Sequence, residues 1–455
     1  MRIECSMILR RVHIRVDMPV WARGKTMNFT YLHPAEQIIM IINRIYTKQM
    51  TTTSGGNLSI MDDEGDLWIT PSGIDKGSLT VGDICQIKPD GTVIGKHQPS
   101  SELPFHKCVY AARPDVRAVL HAHPQALVSF SLVGKTPNTK LLPSPHLVCG
   151  EIGFAEYGLP GSMELGMKLA EQFKNGKNVV IMENHGVVTC AKDLFTAFMI
   201  FETLERDAAL NIVAHQLGTP MSLTDAQIQL GVDHGKSPLK EFIPDEITSY
   251  DKKVRKEMCT LIHRAYDQEL FTSTQGTFSE RLNDHSFIIT PFGKDRKYLE
   301  PEDLVQIDNG RVESGKVPSR AFHLHQMIYE QHPEIKAIVM AMPTHVMAFG
   351  ITRTPLDPRT IPESYIMIRN LVRVPYGTSI VNPERISQAI SASTPVVLVE
   401  NEFVLTVGHS LINAFDRLEV VEFTANTIIH AMTIGKIAPI STERIEEINV
   451  AFHLQ

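Results

Sequence analysis

Val119-Leu120-His121-Ala122-His123-Pro124 reads as the end of a buried β-strand. Alternate side chains of a strand share a face, so His121 and His123 project together from the apolar run Val116, Ala118, Val119 and Leu120, which anchors them. Two imidazoles placed this way can grip one cation. A histidine pair beside a proline can also simply close a strand, and the stretch alone leaves both readings open.

Outward from it the chain alternates short elements. Residues 33–49 carry apolar side chains at helical spacing, with Pro34 near the start and a polar Thr-Ser-Gly-Gly turn at the end. Residues 57–61 and 67–70 read as strands joined by the acidic turn 62–66. Strands follow near 84–88 and 93–94, then a helix over 101–112. After the histidine strand come a Pro-rich loop (135–145), a helix (162–175), a strand (178–183) running into Asn184-His185-Gly186, and a long helix (193–217). This mixture predicts one sheet sandwiched by helices.

The pattern then repeats. Thr70-Pro71-Ser72-Gly73 returns as Thr290-Pro291-Phe292-Gly293, the His106 to Tyr110 stretch as His325 to Tyr329, and Tyr157-Gly158 as Tyr376-Gly377, in order and at a nearly constant offset. The chain is a tandem duplication, with a polar linker around 233–245. The expected domains are 27–231 and 248–455, joined by 232–247. Residues 1–26 are Arg-rich but lack a continuous apolar core, and read as a disordered leader or a non-native start ahead of Met27.

At 455 residues, 43% apolar and 21% charged, the composition is that of a soluble globular protein of two or three domains. A net charge of -7 with no Lys/Arg block argues against nucleic-acid and membrane-surface partners and fits a small anionic substrate. The six cysteines show no Cys-x-x-Cys spacing, which predicts a reducing compartment and no disulfides. No apolar run approaches the roughly 18 to 20 residues that span a bilayer, so the expected location is cytoplasmic.

Two further residues bear on the histidine pair. Glu102 falls at a predicted helix start and His185 follows a predicted strand, so both can project from element ends toward one site. Each has a bland reading, Glu102 as a capping carboxylate and His185 as a turn residue. Together with His121 and His123 they make a zinc-type shell whose carboxylate a substrate can displace.

Gly55-Gly56-Asn57-Leu58-Ser59, Thr70-Pro71-Ser72-Gly73, the segment from Ser100 to His106, His121-Ala122-His123-Pro124 and Asn184-His185-Gly186 resemble, in order, the motifs of the class II aldolase/adducin family. The resemblance spans about 32–217 and, more weakly, the second copy. It implies two tandem α/β three-layer (α/β/α) domains with mostly antiparallel central sheets. It also implies Zn2+ (or Mn2+, Fe2+ or Co2+) on His121, His123 and His185, with Glu102 as resting ligand and acid/base. Gly56, Asn57, Ser72, Gly73, Ser100 and Ser101 would form a phosphate cradle. The implied reaction is reversible cleavage of a ketose phosphate, fuculose-1-phosphate-like, to dihydroxyacetone phosphate and a short aldehyde, a step of carbohydrate metabolism. Sugar-phosphate epimerase, decarboxylase and dehydratase activities, and a non-catalytic adducin-like scaffold, are the alternatives. The resembled aldolase has tyrosines in the loop after the metal strand and in its C-terminal tail. Here the loop offers only His146 as a polar candidate, and neither 210–230 nor 440–455 contains a tyrosine.

In the second copy Glu102 becomes Ala321, Ser101 Arg320, His121 Met340, His123 Met342, Asn57 Thr277 and His185 Glu402. Every ligand is gone, and methionines in place of histidines read as a core repacked after loss of the metal. The family's fourfold rings imply a homodimer forming a pseudo-fourfold ring, in which the second copy acts as neighbour to the active one.

Overall fold

The computed structural model describes residues 29–233, 239–244 and 246–454; the leader expected over 1–26 lies outside them. The first copy runs α1 (Pro34–Thr47), β1 (Asn57–Met61), β2 (Leu67–Ile69), β3 (Cys85–Ile87), β4 (Val93–Ile94), α2 (Leu103–Ala112), β5 (Ala118–Ala122), α3 (Gln125–Leu132) and α4 (Pro143–Cys149). It continues through β6 (Ile152–Ala155), α5 (Met163–Lys174), β7 (Val179–Met182), β8 (Val187–Ala191), α6 (Leu194–Leu217) and α7 (Asp225–Asp233). Its eight strands are ordered β4-β3-β2-β1-β5-β8-β7-β6. Every pair is antiparallel except β6 with β7.

The histidine strand β5 lies in the middle, between β1 and β8. Ala118, Leu120 and Ala122 pack with α1 and α6 on one face, while Val119 joins Phe105, Val109 and Leu169 from α2 and α5 on the other. Both faces are covered, so apart from His121 the strand is apolar rather than alternating. The local ends carry their own stop signals: the His33 side chain accepts from the Ala35 N–H, and Ser162 and Asp193 cap α5 and α6.

The second copy repeats the plan. It comprises β9 (Glu241–Phe242), α8 (Ser249–Asp267), β10 (Thr277–Arg281), β11 (Ser286–Ile289), β12 (Val305–Asp308), β13 (Arg311–Glu313), α9 (Phe322–Gln331), β14 (Ala337–Ala341), α10 (Thr344–Thr352) and α11 (Pro362–Ile368). Then follow β15 (Leu371–Val374), α12 (Thr378–Val381), α13 (Glu384–Ala389), β16 (Val396–Val399), β17 (Phe403–Gly408), α14 (Leu411–Ile434) and α15 (Thr442–Ala451). The order β15-β16-β17-β14-β10-β11-β12-β13-β9 matches the first sheet strand for strand, with β9 added in parallel at the edge. The segment between the copies is therefore partly built into the second sheet.

The sequence reading passes over α3, α4, β6 and β8. The start of α4 falls in the expected Pro-rich loop, where Pro143 occupies the first helical turn and needs no amide partner. β8 is buried along its whole length and shows no alternation to betray it. Among the described residues the five cysteines are free thiols, and no helix is long and apolar enough to cross a membrane.

The two copies are tied by a buried polar knot. Arg44 on α1 makes two bonds to Asp295, at 2.5 and 2.8 Å, and donates to the Tyr266 hydroxyl at 2.7 Å. Tyr266 in turn donates to Glu202 on α6, whose second oxygen accepts the Ser273 N–H.

Candidate metal centre

His121 is fully buried near the end of β5. Its Nδ1–H donates to the Val187 carbonyl at 3.0 Å across the β5–β8 ladder, which turns Nε2 inward, where it is buried and has no hydrogen-bond partner. His123 follows on the same face. His185 comes from the turn between β7 and β8, where Asn184 adopts the left-handed conformation (φ 54) and Gly186 leaves room. A Cβ on Gly186 would lie 2.6 Å from the Ala122 carbonyl oxygen and 2.8 Å from the His123 ring. One ring nitrogen from each of the three histidines lies within 4.8 Å of the others. Among the described residues this is the one cluster of three such side chains close enough to share an ion.

Glu102 stands at the start of α2 with Oε2 3.3 Å from His121 Nε2 and Oε1 3.6 Å from His185 Nε2. Its Oε1 is buried and unpartnered, as is His185 Nδ1. Burial holds all three imidazoles below their ordinary pKa, that of His121 furthest, and this favours the neutral rings that a cation needs. Unpaired buried nitrogens and a carboxylate oxygen converging on one point would be costly as they stand. A divalent cation fits this donor set.

A chain of hydrogen bonds supports Glu102 from behind. An ionised carboxylate only accepts, so the Asn57 amide nitrogen donates to Glu102 Oε2 at 2.7 Å, and Asn57 Oδ1 accepts from His106 Nε2 at 2.5 Å. His106, pushed down to about 3 by burial, is neutral and accepts at Nδ1 from the Ser59 hydroxyl at 2.7 Å. Ser59 accepts from Tyr110 at 2.8 Å. The sequence reading did not find this chain. Its signal was there in the second copy, where Ser279, His325 and Tyr329 keep the same two bonds although every metal ligand is lost.

The residues read as a phosphate cradle divide into two groups. Ser72, Gly73 and Ser101 are exposed, near the buried Lys76, whose Nζ donates to the carbonyls of Pro71 and Ile74 and orders the loop. Gly56, Asn57 and Ser100 are buried. Asn57 is engaged by Glu102 and His106, and the Ser100 hydroxyl accepts the Glu102 N–H at 3.3 Å. Gly56 has a left-handed backbone (φ +73), and a Cβ there would lie 2.9 Å from the His121 carbonyl oxygen.

In the second copy the methionines do not close the core. Met340, Met342, Ala321 and Glu402 line a cavity of about 300 Å³. Pro143, Ser144 and Leu147 of α4 and Gly231 of α7 reach it from the first copy. α4, which carries His146, therefore serves the second copy's cavity; His146 itself bonds Thr139 at 3.1 Å.

The family model for the class II aldolase and adducin N-terminal domain matches residues 36–212 and again 256–429. An L-fuculose phosphate aldolase of Methanococcus maripaludis is 36% identical over 183 residues, 40% of this chain and 97% of that protein. A 3-oxo-tetronate 4-phosphate decarboxylase of Haemophilus influenzae is 30% identical over 185 residues, 40% of this chain and 88% of that protein. A solved L-fuculose 1-phosphate aldolase is 31% identical, covering 43% of this chain and 93% of that one, with a TM-score of 0.40.

Proposed function

Because the chain belongs, in both halves, to the family of the class II aldolase and adducin N-terminal domain, we propose that its first copy is a zinc-dependent aldehyde-lyase. It cleaves a ketose phosphate such as fuculose 1-phosphate to dihydroxyacetone phosphate and a short aldehyde, in the cytoplasm. The observation that carries this reading is the buried carboxylate of Glu102 beside three clustered imidazoles, two of which, His121 and His185, keep a buried nitrogen without a partner. A divalent cation on His121, His123 and His185 supplies Lewis acidity for negative charge developing on a carbonyl oxygen. Glu102, held by the Asn57 amide, takes a proton from the hydroxyl that becomes the aldehyde and returns one to the carbon left behind. Gly56, Ser72, Gly73, Ser100 and Ser101 shape the loops that receive the phosphate, with Lys76 fixing one of them.

The decarboxylase relative and the absence of a tyrosine from the loop carrying α4 favour decarboxylation of a phosphorylated 3-oxo acid as the second reading. Zinc-reconstituted protein assayed on a panel of ketose 1-phosphates and on a phosphorylated 3-oxo acid, with products identified, separates the two. Dihydroxyacetone phosphate with lactaldehyde is expected from fuculose 1-phosphate. Carbon dioxide from a phosphorylated 3-oxo acid, with no cleavage across the ketose panel, would replace the lyase assignment.

The duplication supports a homodimer. α4 and α7 of the first copy wall the second copy's cavity, and by the same plan another chain would supply the matching wall of the first copy's site. The counterpart of α7 is α15, which buries none of its residues and leaves Val450 and Phe452 exposed. Two chains closing a pseudo-fourfold ring would bring α15 of one over the histidines of the other. Light scattering should give about twice 50.9 kDa; a fully active monomer would exclude the shared wall.

A further inference from the structure

We propose that the cavity of the second copy is a binding site for a small organic anion with an apolar body. The replacements in this copy act in one direction. Ala321 stands where the first copy has Glu102, and Met340 and Met342 stand where it has His121 and His123, so ligand atoms and charge give way to an apolar floor. The apolar replacements could have filled this space, and they have not. Instead about 300 Å³ stays open, at the lower end of the range for small-molecule sites. The floor is braced from behind: the Met340 sulfur lies 3.2 Å from His325 Nε2.

The polar groups were exchanged as well. Arg320 replaces Ser101 and Phe292 replaces Ser72, and the guanidinium now lies 5.2 Å from the centre of the Phe292 ring. An arginine held on an aromatic face keeps its N–H fork free for a carboxylate or phosphate. Among the described residues no carboxylate forms an ion pair with it. At the other end Glu402 replaces His185. The carboxylate is held by the Ser379 hydroxyl and the Gly377 N–H, and its second oxygen is buried at the cavity. Burial pushes this carboxyl up to about 7, so its protonated form can donate to a ligand oxygen. The remaining wall comes from α4 and α7 of the first copy, and the Tyr376 hydroxyl seals the seam by donating to the Gln227 carbonyl at 2.8 Å. The site thus takes its walls from both copies.

The test uses the zinc-loaded full chain and three probes of similar shape followed by calorimetry: phenylacetate, phenyl phosphate and neutral 2-phenylethanol. At least one anion should bind at one site per chain about tenfold or more tighter than the alcohol, and the two anions compared decide between carboxylate and phosphate recognition. Arg320→Gln, a change at an exposed position, should remove that preference. Ala321→Phe should abolish binding by filling the cavity while leaving zinc content and turnover unchanged. The inference is overturned if neither anion binds at millimolar concentration, if the alcohol binds as tightly, or if binding survives both substitutions. Each of these outcomes is independent of whether the first copy cleaves sugar phosphates.

Discussion

Glu102 is held by one strong donor, the Asn57 amide, and the direction of every bond behind it follows from that contact. Three predictions belong to this scale. Glu102→Gln should retain most of the metal, because three imidazoles still bind it, and lose roughly 10²- to 10⁴-fold in turnover; His121→Ala should lose metal and activity together. Elemental analysis beside a cleavage assay reads both, and wild-type rates in the glutamine variant would place proton transfer elsewhere. Asn57→Ala should keep the metal and lower activity about 10- to 100-fold, the scale for losing an outer hydrogen-bond partner. If Asn57 instead binds phosphate alone, the loss will appear in KM rather than kcat. The three histidines and Glu102, which the structure brings together, were picked out in sequence because their chemistry is specific. Asn57 was named only as part of the phosphate cradle; its bond to Glu102 was not legible, because a buried amide and a loop amide look alike until their partners are known.

At the scale of elements, the turn from β7 to β8 shapes the site. Gly186 lies against the Ala122 carbonyl and the His123 ring, so Gly186→Ala should cost about 1–3 kcal/mol in unfolding free energy and weaken zinc binding. Chemical denaturation with and without zinc measures both. The Ser-His-Tyr unit joining α9 to β10 makes a pH prediction. His325 is fully buried and pushed down from the ordinary 6.5 to about 3. The unfolded chain therefore takes up the proton first, so this histidine's contribution is intact above about pH 6.5 and is lost as pH falls toward 3. Urea midpoints between pH 7 and 4 should fall, and fall less steeply in His325→Gln. Helices and strands with caps or alternation could be placed from sequence. α3, α4, β6 and β8 could not, because short, doubly buried or Pro-initiated segments lack a periodic signal.

For the whole molecule, the knot of Arg44, Asp295, Tyr266 and Glu202 joins the copies at a largely buried position; Arg44 is 5% exposed. Arg44→Ala strands Asp295 and leaves Tyr266 without its donor, and should destabilise the chain by about 3–5 kcal/mol. Calorimetry should then resolve two unfolding transitions where the parent shows one. An unchanged single transition would mean that apolar packing, not this knot, couples the copies.

The sequence by itself determined the duplication, the three-layer plan and the histidine and glutamate cluster, because strand alternation, register between copies and metal-ligand chemistry are local properties of residue order. Only the tertiary structure decided what supports Glu102, which copy walls which site, and that the ligand-free copy is hollow rather than filled. Those depend on side chains more than forty residues apart, as Asn57 is from Glu102 and Leu147 from Met340. Their meeting is fixed by sheet order and by the seam between the copies, not by spacing along the chain.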